Sequence, residues 1–282
     1  MPTLCSVQSV STSHRSGERV SDSRLHHRRF FVPAERIHDG RVEFLPGQSH
    51  QMAHVLRLRP GDQVRVFDGT GREFVAALLP ATSKERLARI LGEEPTFPHA
   101  TFRLTLAQVV PRGPAMDWIV AKATELGVSC IIPLEGERSV RHPAPTPPSR
   151  WLRIVQEATE QCGRRDLPAI APACSVEALL RAHLETTPLL VCDAGRESRP
   201  LLGLCEALAG TPSLTLVVGG EGGLGSVELE RLRSRGAHLA SLGPRILRTE
   251  TAVVAALSVI QAVLGDSRSI RGTEGIRSSL AS

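Results

Sequence analysis

Residues 217–225 read VVGGEGGLG, and they join an apolar strand to a helix predicted to begin near Ser226. Five glycines fall within seven positions of this segment. Glycine adopts positive φ at no steric cost and lets a backbone approach a ligand closely. The alternative, an ordinary tight turn, needs only one or two glycines. The segment therefore predicts a ligand-binding loop at the carboxyl end of a buried strand.

One alternative for this loop is a dinucleotide site. Gly220, Gly222 and Gly225 match the pattern GxGxxG, which is followed about 20 residues later by an acidic residue that binds the ribose. The next predicted strand instead runs into Leu242-Gly243-Pro244-Arg245. In an NADP-linked oxidoreductase, Arg245 would have to hold the 2′-phosphate of the cofactor. Too little chain follows the glycines, however, for the remaining strands of a dinucleotide-binding sheet. No Lys-Ser/Thr pair follows either, which excludes a P-loop.

A second unusual loop occupies residues 242–252, LGPRILRTETA. Two arginines, an acid and two hydroxyls precede a helix predicted over Glu250–Leu264, which is almost wholly apolar and is expected to be buried on most sides. Thr249 as helix cap with Glu250 in the first turn is one interpretation. Capping does not explain Gly243, Pro244 and the two arginines. The loop therefore predicts a second wall of the same site.

The chain divides into two predicted domains between two tails. Residues 29–95 show short strands and turns, including a hairpin over Gln63–Phe67 and Arg72–Leu78, and predict a small β-barrel. Residues 100–265 alternate strands and helices, which predicts an α/β domain with a mostly parallel sheet covered on both faces. Its elements include a helix that Ser149 caps and that runs to about Cys162. Residues 1–28 are predicted to be a disordered extension and 266–282 a flexible tail.

Composition sets the class of protein. The 282 residues are 41% hydrophobic and 22% charged, which is typical of a soluble globular protein. The formal net charge of +5 is too weak by itself to predict nucleic-acid binding. Six cysteines show no metal-binding spacing, and no apolar run suggests a signal peptide or membrane span. We therefore expect a reduced, cytoplasmic protein without metal.

Several separated blocks of the chain resemble the SPOUT methyltransferases, and closely the RsmE family that methylates uracil N3 in 16S ribosomal RNA. The resemblance covers residues 29–265. Besides the two loops, it rests on the following segments: Arg29-Phe30-Phe31-Val32-Pro33, His54-Val55-Leu56-Arg57 with Gly61-Asp62, Lys122-Ala123-Thr124-Glu125-Leu126-Gly127-Val128, and Glu157 to Arg165.

The resemblance implies a PUA-like barrel, a parallel-sheet domain with a C-terminal trefoil knot, and a homodimer that acts on 16S rRNA of the small subunit. It also implies S-adenosylmethionine as cofactor, held in a bent form by the knot's two loops, with the last helix closing the site. The residues expected to bind the cofactor are Gly219, Gly220, Glu221, Gly222, Gly223, Leu242, Gly243, Leu247 and Thr249.

The expected catalytic residues are Arg248 and Arg245, which would stabilise the anion developing on the base, and Glu250 as a possible proton acceptor. An acid that only orients an arginine is the alternative for Glu250, so the base is left unassigned. A non-catalytic RNA-binding protein with a degenerate cofactor site is the other alternative function. Phosphate contacts are expected from arginines in both domains: Arg29, Arg57, Arg59, Arg65, Arg138, Arg164 and Arg165.

Overall fold

The computed structural model describes residues 25–80, 86–95, 102–139, 146–182 and 187–265. The predicted extension up to residue 24 and the predicted tail 266–282 lie outside these ranges. Within them, the chain folds around two separate sheets, of which the first has one hydrophobic core and the second has one on each face.

The first sheet has six strands: β1 (Leu25–Phe31), β2 (Ile37–His38), β3 (Arg41–Glu43), β4 (Gln63–Phe67), β5 (Glu73–Leu78) and β6 (Leu87–Glu93). They lie in the order β1-β4-β5-β6-β3-β2. Only β1 and β4 are parallel; the other pairings are antiparallel. A 3-10 turn (Ala34–Arg36), a short helix α1 (Pro46–His50) and a π-helical turn (Gln51–Val55) complete the domain.

The predicted hairpin of this domain is confirmed. β4 and β5 pair antiparallel, and Asp68 Oδ1 accepts hydrogen bonds from the backbone N–H and the hydroxyl of Thr70 in the turn. Two details differ from the prediction. Strand β1 begins at Leu25, four residues before the expected domain start, because this edge segment pairs with β4. In the described residues the hydrogen bonding also leaves β1 and β2 as two edges, so the small barrel is open.

The strands of the second sheet are β7 (Arg103–Val109), β8 (Cys130–Glu135), β9 (Ala169–Ile170), β10 (Cys174–Ser175), β11 (Leu189–Cys192), β12 (Arg199–Pro200), β13 (Ser213–Val218) and β14 (His238–Ser241). They lie in the order β10-β8-β7-β13-β11-β14-β12, with β9 beside β8, and every pairing is parallel. Its helices are α2 (Ala115–Glu125), α3 (Ser149–Cys162), α4 (Val176–Ala182), α5 (Leu201–Ala207), α6 (Ser226–Ser234) and α7 (Thr249–Val263).

Successive strand residues face opposite sides of this sheet, as the pleat requires. On β13, Leu214, Leu216 and Val218 pack with α2, α3, α5 and α7 in one core, while Val217 packs with α4 and α6 in the other. The prediction of a parallel sheet covered on both faces is therefore confirmed.

The two expectations about helices have different outcomes. Ser149 is the first residue of α3 rather than its cap, because Pro148 holds the cap position, and no side chain caps this end. Helix α7 is buried or half-buried on most sides, as expected. Val253, Ala256, Leu257 and Ile260 form its fully buried face, and its exposed residues are small: Thr251, Ser258 and Ala262. No described helix is both long enough and apolar enough to cross a membrane.

Candidate functional site

A cavity of about 680 Å³ lies at the carboxyl ends of three neighbouring parallel strands, β11, β13 and β14. This edge is where open α/β sheets bind ligands, because the loops that leave adjacent strands meet there. Each of the three strands contributes the residues that follow it: Asp193 and Ala194 after β11, Gly219 to Leu224 except Gly222 after β13, and Leu242 to Arg248 except Pro244 after β14. The two loops singled out in the sequence therefore line one cavity.

The glycine loop needs glycine at two positions for different reasons. A Cβ on Gly219 would stand 2.8 Å from the carbonyl carbon of Gly223, so no side chain fits at residue 219. Gly223 has φ of 68° and open space where a side chain would begin. Its N–H donates to the Gly220 carbonyl at 3.0 Å, which closes the loop on itself. The loop thereby presents backbone rather than side chains to the cavity.

Neighbouring segments hold this loop in place. Glu221 Oε1 accepts the Arg112 N–H at 2.8 Å, and Arg138 Nη1 donates to the Gly222 carbonyl at 2.8 Å. Gly222 does not line the main cavity, because its Cα faces the Arg138 side chain. The other eight residues expected to bind the cofactor all line the cavity.

Thr249 has a different local role from the one expected. The cap position of α7 belongs to Arg248, and Thr249 is the first helical residue. The Thr249 hydroxyl donates to the Gly219 carbonyl at 2.6 Å instead of capping the helix. This bond joins the start of α7 to the glycine loop, so the two walls of the cavity are tied directly to each other.

The three expected catalytic residues lie together on the wall of the cavity. Arg245 and Arg248 are exposed and Glu250 is half-buried. No salt bridge involves either arginine in the described part of the chain, so both guanidinium groups are available to a ligand. Ile246, between them, is 93% exposed although it is apolar.

The expected RNA-binding arginines fall into two groups. Arg57 and Arg59 are exposed on the first domain, and Arg138 is exposed beside the glycine loop. Arg65 is less accessible to RNA than these three, because its side chain pairs with Glu94 at 3.2 Å and is about one-quarter exposed.

Arg29, Arg164 and Arg165 are largely buried where the two domains meet. The Nε atoms of Arg29 and Arg165 lie 2.7 Å from the two carboxylate oxygens of Glu73, and these three side chains form what we call the interdomain ion cluster. Arg164 donates to the carbonyl of Val128 at 2.8 Å and pairs with its neighbour Asp166. The structure therefore corrects the expected role of Arg29, Arg164 and Arg165: protein acceptors already hold their guanidinium groups.

Three residues that the sequence analysis did not single out belong to the site or support it. Arg112 and Asp193 line the cavity, and Gln108 lies beneath it. Arg112 and Asp193 follow the central strands β7 and β11, so the rule that sites lie at the carboxyl ends of strands is the signal that would have found them. Cys192 also lines the cavity, but burial raises the pKa of its thiol to about 12. It is therefore protonated at neutral pH and is not a nucleophile.

Across the described ranges, no group of three or more His, Cys, Asp or Glu side chains is arranged to hold a metal ion.

Known proteins match both domains. A family model described as an RNA methyltransferase domain matches residues 98–261, and one described as an RNA methyltransferase PUA domain matches residues 47–91. The chain is similar to ribosomal RNA small subunit methyltransferase E of Synechocystis, with 32% identity over 88% of this chain and 81% of that protein. For the Bacillus subtilis protein of the same name, the identity is 30% over 82% of this chain and 95% of the relative.

The fold is also similar to that of a solved structure. The crystal structure of a ribosomal RNA small subunit methyltransferase E from Neisseria gonorrhoeae, bound to S-adenosylmethionine, superposes with a TM-score of 0.76 and 32% identity. The match covers 86% of this chain and 99% of that one.

Proposed function

Because this chain belongs to the family of ribosomal RNA small subunit methyltransferase E, we propose that it transfers a methyl group from S-adenosylmethionine to N3 of a uridine in 16S ribosomal RNA. The observation that carries the proposal is the cavity whose walls are the backbone of the glycine loop and of residues 242–248. Small subunit rRNA is the expected partner, and the cytoplasm is the expected location.

The residues present suit S-adenosylmethionine. A volume of about 680 Å³ lies within the range of sites that enclose ligands of this size. Apolar side chains of Val218, Leu224, Leu242 and Leu247 line it beside backbone amides and carbonyls, a combination that accommodates a nucleoside. Three acids and three arginines also line the cavity, which suits a ligand that carries both positive charge and a carboxylate: Asp193, Glu221, Glu250, Arg112, Arg245 and Arg248. Glycine at 219 lets the loop pack closely on itself, and glycine at 223 leaves open space, so the loop offers backbone to the adenine and ribose.

When bound, S-adenosylmethionine supplies an electrophilic methyl group. The chain's own task is to orient the uracil, ease loss of the weakly acidic N3 proton and stabilise the negative charge that develops on the base. Arg248 and Arg245 are suited to that charge, because exposed guanidinium groups on the wall can meet a uracil oxygen. Glu250 is positioned either to accept the proton or to orient an arginine, and the pH dependence of the rate distinguishes these two roles.

The wider architecture follows the same proposal. Residues 29–95 form the RNA-binding PUA-like domain, and Arg57, Arg59 and Arg138 contact RNA phosphates. Residues 100–265 form the methyltransferase domain, in which the loops 219–225 and 242–248 and helix α7 make a trefoil knot. The small exposed residues of α7 and the half-exposed Trp118 of α2 form the surface through which two copies associate as a homodimer.

Two measurements test the proposed function. Calorimetry is expected to detect binding of S-adenosylmethionine but not of NADPH; the reverse would indicate the oxidoreductase alternative. Incubation of small subunits with a radiolabelled methyl donor should label 16S rRNA, and mass mapping should locate the label at uridine N3. Binding of RNA and methyl donor without transfer would indicate a non-catalytic binding protein. Transfer to another base or position would leave the enzyme class intact and refute the N3 assignment.

A further inference from the structure

Gln108, at the end of β7, is fully buried, and its side-chain amide contacts both walls of the cavity without lining it. Its Nε2 lies 3.2 Å from the Gly219 carbonyl oxygen and 3.1 Å from the Thr249 hydroxyl. It also lies 2.7 Å from the carbonyl of Val109. Three acceptors around one nitrogen fix which way the amide is turned, because Oε1 in that position would face oxygens only.

This orientation leaves one polar atom without a partner. Gln108 Oε1 is the only buried side-chain nitrogen or oxygen atom in the described residues that has no hydrogen bond. An unsatisfied buried acceptor is unfavourable for folding, and such groups are rare in native proteins. The unpaired oxygen therefore points to a role for Nε2 that an apolar side chain of the same size would not fill.

We propose that Gln108 is a positioning residue for the methyl-donor site, which rests on the function proposed above. The Thr249 hydroxyl donates to the Gly219 carbonyl, and Gln108 Nε2 donates toward the same carbonyl and the Thr249 oxygen, so the two side chains hold that carbonyl inside the protein. The C=O and N–H of a trans peptide point in opposite directions. Fixing the Gly219 carbonyl thus also fixes the Gly220 N–H, on a residue that lines the cavity. Gln108 thereby fixes the loop backbone against which the methyl donor binds, and it does not touch the reacting atoms.

The central test replaces Gln108 with methionine, which has a similar volume but cannot donate. We expect the Kd for S-adenosylmethionine to rise about tenfold, the loss that goes with one or two hydrogen bonds to a loop carbonyl. The KM for the methyl donor should rise in parallel, while kcat at saturating donor stays within about twofold. The thermal midpoint should change little, since the substitution also removes the unpaired oxygen.

Two further variants separate positioning from general stability. Thr249→Ser keeps the hydroxyl and should bind the methyl donor more tightly than Thr249→Val, which removes the second donor to the same carbonyl. The double variant Gln108→Met with Thr249→Val should lose less affinity than the two single losses combined, because both side chains act on Gly219. Gln261→Met is the matched control: Gln261 is also buried and donates to a carbonyl at 2.9 Å, but that carbonyl belongs to Leu126, which does not line the cavity. It should lower the thermal midpoint without changing the Kd.

The outcomes are distinguishable. If the wild-type protein does not bind S-adenosylmethionine, the proposed function fails and this inference fails with it. If the wild type binds and Gln108→Met binds equally well, only the role of Gln108 is refuted. Strictly additive losses in the double variant would also refute it. If Gln108→Met does not fold, the Kd values of Thr249→Val and Thr249→Ser for S-adenosylmethionine are compared instead. Equal values would refute the proposal that side-chain donors to the Gly219 carbonyl position the loop.

Discussion

The interdomain ion cluster gives the sharpest prediction about stability. The carboxylate of Glu73 is 4% exposed and accepts from Arg29 and Arg165, whose side chains are 10% and 12% exposed. Glu73→Gln keeps the size of the side chain but removes the charge between two buried guanidinium groups. Breaking a buried ion pair by removing one partner costs about 3–5 kcal/mol.

The structure favours the lower end of that range. Arg29 keeps the carbonyl of Arg164 at 2.7 Å and the ring of Phe67 at 4.8 Å, and Arg165 keeps the carbonyl of Pro95 at 2.6 Å. These contacts partly satisfy the two cations after the substitution. We therefore expect the free energy of unfolding to fall by about 3 kcal/mol.

Urea unfolding at neutral pH, followed by two probes, measures this effect. The only two tryptophans, Trp118 and Trp151, lie on α2 and α3, so their fluorescence reports on the second domain alone, whereas circular dichroism reports on both. If Glu73 couples the domains, the two transitions should coincide in the wild type and separate in the variant.

The matched control is Glu93→Gln in the same sheet. Glu93 pairs with Arg72 at 3.1 Å, but these side chains are 44% and 55% exposed, so the loss should stay below about 1 kcal/mol and vanish in high salt. A loss at Glu73 no larger than at Glu93 would refute the argument that burial makes the interdomain ion cluster important for stability.

Three further predictions concern the site and its surroundings. Arg248→Lys should keep the affinity for S-adenosylmethionine within a few-fold but lower single-turnover methylation by roughly 100-fold, because lysine lacks the planar guanidinium group. A parallel fall in affinity would show instead that Arg248 binds the cofactor. Gly223→Ala, at φ of 68°, should weaken cofactor binding about 5- to 30-fold in calorimetry, whereas Gly222→Ala should leave it nearly unchanged. Burial raises the pKa of Glu160, so its contribution to stability is present at low pH and is lost as the pH rises through that pKa. The thermal midpoint of Glu160→Gln should therefore rise relative to that of the wild type as the pH is raised from acid to neutral. A difference in thermal midpoint that does not change with pH would contradict the raised pKa.

Much of the architecture follows from local sequence. The alternation of short apolar strands with amphipathic helices predicts the parallel sheet, and the predicted end of α3 near Cys162 is the one observed. The run of glycines likewise predicts a loop here, because glycine tolerates both the positive φ of Gly223 and the close backbone contact at Gly219. Periodicity and backbone sterics act between near neighbours, so they can be read from the chain alone.

The roles of individual polar side chains were decided only by the tertiary structure. An arginine in the sequence has the same appearance whether it meets RNA or a buried carboxylate, and Arg29 finds Glu73 44 residues away. Thr249 fits a helix cap in the sequence, yet its hydroxyl bonds to Gly219, 30 residues earlier in the chain. Gln108 carries no local signal, because its three acceptors come together only when the loops pack over the end of β7. Hydrogen bonds and ion pairs depend on distance in space, and that distance is set by the packing of the whole fold rather than by neighbours along the chain.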